Sequence, residues 1–221
     1  MSIPEFLEAQ HPLVQALSDD SDRHLVRQFQ QNLESGKYFT AIFCRYSELT
    51  YVLIRNMARA ALQTDYLFAK VWRNIFFELT YLDVGEADGA IADEFSLQTW
   101  IFNKAALCVN QEEAPSIESV QYALSVASPP LWCYLQTALD RLPALHRLVL
   151  VLSGTFHWSG SRILGFLEAE GQTMSQATLA QTQSEAYQHF MEAIPEDIQV
   201  IYFGSPLLQF FPAEFSAVTS A

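Results

Sequence analysis

Apolar residues recur at helical spacing along nearly the whole of this chain, and no segment alternates apolar and polar residues as a half-buried strand does. Phe39, Phe43, Tyr46, Thr50, Leu53 and Met57 fall three or four positions apart and so share one helix face. Leu62 to Leu82 is apolar on most sides, through Tyr66, Phe68, Val71, Trp72, Ile75, Phe76, Leu79 and Leu82. A helix of that kind lies inside a bundle or offers one face to a partner. The spacing predicts an all-α protein. Half of the 221 residues are apolar, enough for a sizeable core.

Breaks in the pattern divide the chain. Residues 83–94, DVGEADGAIADE, read as an acidic loop. Helix resumes over Phe95–Val109, with Trp100, Ile101, Ala105 and Cys108 as its buried stripe. Residues 110–130 mix Pro, Ser and Glu, with at most one weak helical turn near Ile117–Ala127. Pro129 and Pro130 suit the start of a helix over Leu131–Leu142, and Pro143 ends it and opens Ala144–Leu152. Ser153-Gly154 is expected to break that helix, after which His157–Ala169 and Thr173–Ile194 pair across Gly171. The expected organisation is two small helical domains, 37–112 and 129–194, joined by a linker over 113–128. An N-terminal helical extension, 1–36, precedes them and an apolar tail, 195–221, follows. Within the tail, Gly204, Pro206 and Pro212 interrupt a run of large apolar residues. Either the tail packs back on the helices, or Ile201, Tyr202, Phe203, Leu207, Leu208, Phe210 and Phe211 dock on another protein.

Several functional classes are excluded at this level. Cys44, Cys108 and Cys133 form no CxxC pair and sit in apolar helical runs, so they read as reduced core thiols of a cytoplasmic protein. The N-terminus lacks the basic and apolar regions of a secretory signal, and no window supplies the roughly 20 apolar residues of a membrane span. Asp83 and Glu94 stand at the ends of a calcium-loop-sized window, but Gly85 and Ala87 fall on ligand positions and Asp88 replaces the turn glycine. His11, His24, His146, His157 and His189 show no zinc-ligand spacing. No phosphate-cradling glycine loop and no nucleophile elbow occur. No metal, cofactor, catalytic residue or enzymatic activity is expected.

Charge is distributed unevenly. The formal net charge is −13, which opposes non-specific nucleic-acid binding. From Ile163 to Ala221 there is no Lys or Arg, against seven acidic residues. Residues 37–81 instead carry a local +3, from Lys37, Arg45, Arg55, Arg59, Lys70 and Arg73 against Glu48, Asp65 and Glu78. That excess is either ordinary helix-surface charge or a contact face.

The order of elements resembles the sigma-70 family of RNA polymerase sigma factors, in its compact two-domain extracytoplasmic-function form. Phe39, Phe43, Arg45 and Tyr46 fit the F-x-x-[LI]-[FY]-x-R-Y opening of sigma region 2. Phe68, Lys70, Trp72, Arg73 and Ile75 fit the end of the following helix, which in that family docks on a coiled coil of the polymerase's largest subunit. The family's Asp-Leu-x-Gln start to that helix falls on Leu62, Gln63, Thr64, Asp65 and Tyr66, where most of its polar contacts are missing. Trp100, Ile101 and Ala105 fit F-x-x-W-[LI]-x-x-x-A. The family's following Asp and Arg residues are replaced by Asn110-Gln111-Glu112-Glu113.

In the second half, Leu135, Ala138, Leu139, Leu142, Pro143, Arg147, Val149, Leu150 and Leu152 fit the start of region 4, the most specific match in the chain. Ile163, Leu167, Ser175, Thr178 and Leu179 fall in the place of its helix-turn-helix. The resemblance implies docking on core RNA polymerase through the 62–82 helix, with Asp65, Phe68, Lys70, Trp72 and Arg73 at the contact. It implies a DNA-reading helix bearing Ser175, Gln176, Thr178, Gln181 and Gln183. That helix lacks the cations that grip phosphates, and phosphate contacts dominate affinity for duplex DNA. The glutamines are either adenine readers or a solvated face. DNA is therefore expected to be bound weakly or only through the polymerase. The alternative is a sigma scaffold repurposed as a protein-protein module with no DNA role.

Overall fold

The computed structural model describes residues 4–58, 63–85, 95–111, 124 and 128–204. Among them every regular element is helical and no strand occurs, so the protein is all-α as the spacing predicts. The described residues fall into two compact units. The first runs to Cys133 and takes in Glu196–Ile201; the second begins at Tyr134, runs to Pro195 and resumes at Tyr202.

The first unit is assembled around α3, Lys37–Met57, which packs on α1 (Pro12–Gln15), α2 (Asp22–Gln31), α4 (Thr64–Leu79) and α5 (Leu97–Gln111). Its centre is aromatic. Phe29, Phe39, Phe43, Phe68 and Trp72 have no exposed surface. Trp72 meets Phe43 edge-on at 4.9 Å between ring centroids and Phe39 at 6.1 Å. Phe29 meets Phe39 at 5.8 Å and Phe76 at 5.5 Å. Burying one such side chain contributes roughly 1.5–3 kcal/mol, and an edge-to-face pair roughly 0.5–1.5 kcal/mol more.

The Arg45 guanidinium donates to Asp22 Oδ1 at 2.7 Å and to the Ser18 carbonyl at 2.9 Å, while the Tyr46 hydroxyl donates to Asp22 Oδ2. That ion pair is partly exposed and worth at most about 1 kcal/mol, so it orients α2 on α3 while the aromatic centre holds the bundle. Because Leu25, Val26 and Phe29 of α2 are fully buried, the segment expected as an N-terminal extension is part of the bundle. The C-terminal end of α4 is closed by Gln30, whose Nε2 donates to the carbonyls of Leu79 and Leu82 at 2.8 and 2.7 Å.

The helix α6, Pro129–Arg141, starts at the two prolines and passes from the first unit into the second between Cys133 and Tyr134. The second unit continues with α7 (Ala144–Leu150), a π turn over Val151–Thr155, α8 (Gly160–Ala169) and α9 (Gln176–Ala193). Val149, Leu152, Ile163, Leu167 and Leu179 form its core.

The expected break at Ser153-Gly154 does not occur. The backbone widens there into a π turn, with the Phe156 amide donating to the Val151 carbonyl at 3.2 Å. The Ser153 hydroxyl donates to the Val149 carbonyl at 2.7 Å, giving that carbonyl a partner where the helical ladder changes step. The break falls instead at His157, whose φ of 52° is left-handed. The next helix therefore starts at Gly160, where Ser159 Oγ accepts from the Arg162 amide, rather than at His157. A further helix, α10, spans Glu196–Phe203, at the start of the expected apolar tail.

Candidate partner face and recognition helix

The α4 residues implied as a docking set divide by burial. Phe68 and Trp72 have no exposed surface, so neither can meet a partner; they are core. Both face α3 because Phe68, Trp72, Ile75, Phe76 and Leu79 recur at three and four positions, which is one stripe of a helix. Asp65 sits in the first turn of α4 and accepts from the Tyr51 hydroxyl at 2.9 Å. Burial, then that hydrogen bond, pushes the Tyr51 hydroxyl up to about 12. Asp65 thus ties α4 to α3.

Lys70 is exposed and Arg73 half-buried, and the outward stripe they begin continues through Phe77, 46% exposed, to Tyr81, 90% exposed. The Arg73 guanidinium lies 5.3 Å from the Trp132 ring centroid and 5.9 Å from that of Phe77. On the flank toward α5, Asn74 donates to Glu78 Oε1 at 3.1 Å and to Cys108 Sγ at 3.2 Å, and Glu78 pairs with Lys104. That flank is committed to packing α5. What α4 offers outward is a cationic and aromatic edge: Lys70, Arg73, Phe77 and, just past the helix end, Tyr81. Phe77, Tyr81 and Trp132 were missed as site residues. The signal for the first two lay in the spacing: once Phe76 points inward, Phe77 and the residue four further on point away from that stripe.

In the second unit, α8 and α9 form a helix–turn–helix pair with a six-residue connection, longer than the usual three or four. The turn is written in the sequence. Gly171, at φ 80°, takes the left-handed position after α8; its amide donates to the Glu168 carbonyl at 3.0 Å and the Gln172 amide to the Leu167 carbonyl at 2.8 Å. Ser175 then caps α9, its Oγ accepting from the Thr178 amide at 3.1 Å.

The expected reading residues are largely spent inside this frame. Ser175 and Thr178 pair through their hydroxyls at 2.8 Å. Gln181 donates to Glu185 Oε1 at 2.8 Å, and Gln183 is half-buried. Gln176 is exposed but lies over Gly160, where a Cβ would come within 2.8 Å of its amide nitrogen. Gly160 thus makes room for the first residue of α9. No Lys or Arg occurs between Gln176 and Ala193.

Two imidazoles that sequence spacing kept apart come together here. His146 of α7 and His189 of α9 lie 5.5 Å apart by ring centroid, and His146 Nε2 is 3.9 Å from Glu185 Oε2. Among the described residues no group of three or more His, Cys, Asp or Glu could hold a metal ion.

Of the expected tail-docking residues, Ile201 and Tyr202 are buried and Phe203 is half-buried at the end of α10, so the first two are not a surface for another protein. Leu207, Leu208, Phe210 and Phe211 lie outside the described residues, as do Glu112-Glu113, residues 86–94 of the acidic loop and most of the expected linker. Cys133 is buried, which pushes its thiol up, while Cys44 and Cys108 are partly exposed; none of the three is in a disulfide. Among the described residues no helix is long and apolar enough to cross a membrane.

The fold defines an all-helical protein carrying a capped helix–turn–helix pair without cations on its second helix. No protein-family model, curated protein or solved structure matches the chain.

Proposed function

We propose that this protein is a sigma-like transcription protein that binds core RNA polymerase through the outward edge of α4 and does not read duplex DNA by itself. The observation that carries the reading is the state of the α8–α9 pair. Its core residues Ile163, Leu167 and Leu179, its left-handed glycine and its serine cap are all in place. On α9 the Ser175 and Thr178 hydroxyls pair with each other, Gln181 donates to Glu185, and the helix brings no positive charge. Phosphate neutralisation supplies essentially all non-specific and much of the specific affinity for duplex DNA. A helix without cations leaves that work to a partner whose own channel is positive.

The polymerase side rests on the sequence resemblance and on the exposed Lys70, Arg73, Phe77 and Tyr81. These are the kinds of side chain that anchor protein interfaces: aromatic residues and arginine at a protruding edge. The second reading, a sigma scaffold serving as a protein-protein module without polymerase, is favoured by the same edge, which is not specific to one partner.

Capture on immobilised core polymerase separates them. The full chain is expected to be retained at low salt, and the Phe77→Ala/Tyr81→Ala double variant to be lost from the resin. No retention of the unaltered chain sinks the polymerase reading and leaves the module. Equal retention of the double variant sinks the assignment of the face. In a gel-shift salt series the full chain is expected to leave duplex DNA unshifted; a micromolar complex at low salt would overturn the claim of lost reading.

A further inference from the structure

The longest helix of the described structure cannot cap itself. The residue before α3 is Gly36, which has no side-chain oxygen to offer the first amides of a 21-residue helix. The missing acceptor comes from 160 residues away. Asp197 of α10 receives the Gly36 amide on Oδ1 at 2.8 Å, the Lys37 amide on Oδ2 at 3.0 Å and the Ser35 hydroxyl on Oδ2 at 2.7 Å. The same carboxylate accepts from the Ile198 amide at 2.9 Å. The residue before α10 is Pro195, which likewise makes no side-chain cap. One carboxylate, carried by α10 itself, therefore lies at the positive ends of two helices whose preceding residues make no side-chain cap.

We propose that α10 is a detachable strap, latched onto the first unit by Asp197 and folded as a helix only while the latch is closed. Its eight residues fall well below the roughly 12–15 at which an isolated helix becomes even marginal in water. The outward side of the strap is solvated, with Glu196 and Val200 exposed. Opening the latch takes away the docking that a helix this short needs, so release and unwinding are one event. The inference does not rest on the polymerase reading.

Hydrogen exchange of the full chain, read by mass spectrometry across a mild denaturant series, tests it. In the unaltered protein the amides of Ile198–Phe203 are expected to exchange through a local opening that depends little on denaturant, while Ile42–Thr50 exchange only with global unfolding. Asp197→Ala should speed exchange of Ile198–Phe203 and Lys37 by about 5- to 30-fold, the factor for losing a cap, and leave Ile42–Thr50 unchanged. Ser35→Asp, which places a competing carboxylate beside the same amides, should open the strap with Asp197 intact. Ser35→Ala, which spares both amide bonds, should have the smallest effect. The proposal falls if α10 and α3 of the unaltered protein exchange together as one cooperative unit. It also falls if Asp197→Ala changes neither segment.

Discussion

Replacing Trp72 by alanine tests whether the most conspicuous residue of α4 is an anchor for a partner or a keystone of the bundle. Trp72 has no exposed surface and touches Phe43, Phe39 and Phe68 edge-on, at 4.9, 6.1 and 6.3 Å between centroids. Truncation leaves a cavity where the indole was, removes its transfer energy and breaks three ring pairs. Large-to-small changes of this kind cost about 3–5 kcal/mol, and the ring pairs place this one toward the upper half, near 4 kcal/mol. For a domain of this size each kcal/mol lowers the melting temperature by about 2–4 °C, so a fall of roughly 8–16 °C is expected. Trp72→Phe is the control. The indole Nε1 has no hydrogen-bond partner, so phenylalanine forfeits volume and no polar contact, at about 1.5 kcal/mol. Phe77→Ala is the counter-control: with 46% of its surface already exposed, it should cost only about 1 kcal/mol. Circular dichroism at 222 nm under heat and urea reads all three. If Trp72→Ala melts within about 2 °C of the unaltered protein yet loses its partner, the indole is a surface anchor and the burial argument is wrong.

Other consequences follow from single positions. Gly171→Ala forces a side chain into φ 80° with no atom within 4 Å of the new Cβ, so the cost is conformational alone, about 1 kcal/mol, and a urea midpoint at or above that of the unaltered protein would contradict it. Ser175→Ala should destabilise the second unit by about 1 kcal/mol through loss of the α9 cap, measured in the same way. The Tyr51 hydroxyl, raised in the folded protein from 10.0 to about 12, stabilises the fold fully below pH 10 and loses that contribution as pH climbs through 12. Tyr51→Phe should therefore flatten the fall in stability over that window, and an unchanged slope in alkaline urea titrations would refute the assignment. Cys133, buried, should resist a thiol reagent in the native protein while Cys108, partly exposed and bonded to Asn74, reacts first; equal rates would show that the first unit opens at Cys133.

The helical class was legible because one stripe of apolar residues at three- and four-residue spacing has only one solution. Turn chemistry was legible where a residue type carries its own reason: Pro129 and Pro130 at the start of α6, Gly171 after α8 and Ser175 before α9. Ser153-Gly154 misled because a helix-weakening pair need not end a helix when the serine hydroxyl can take up a carbonyl and the turn can widen. α4 misled differently. Family-like spacing marked Phe68 and Trp72 as contacts, whereas five aromatic side chains with no exposed surface leave them no outward face.

The sequence by itself determined that the chain is helical, where most helices begin, and that the helix after Ser175 lacks charge to hold DNA. These properties are local: periodicity, caps and charge lie within a few residues of one another. Only the tertiary structure decided which side of α4 faces water, that His146 meets His189, and that Asp197 closes the end of a helix 160 residues away. A glycine at a helix start says that a cap is missing. Which distant carboxylate supplies it depends on how the chain returns to the first unit, and no periodicity encodes that.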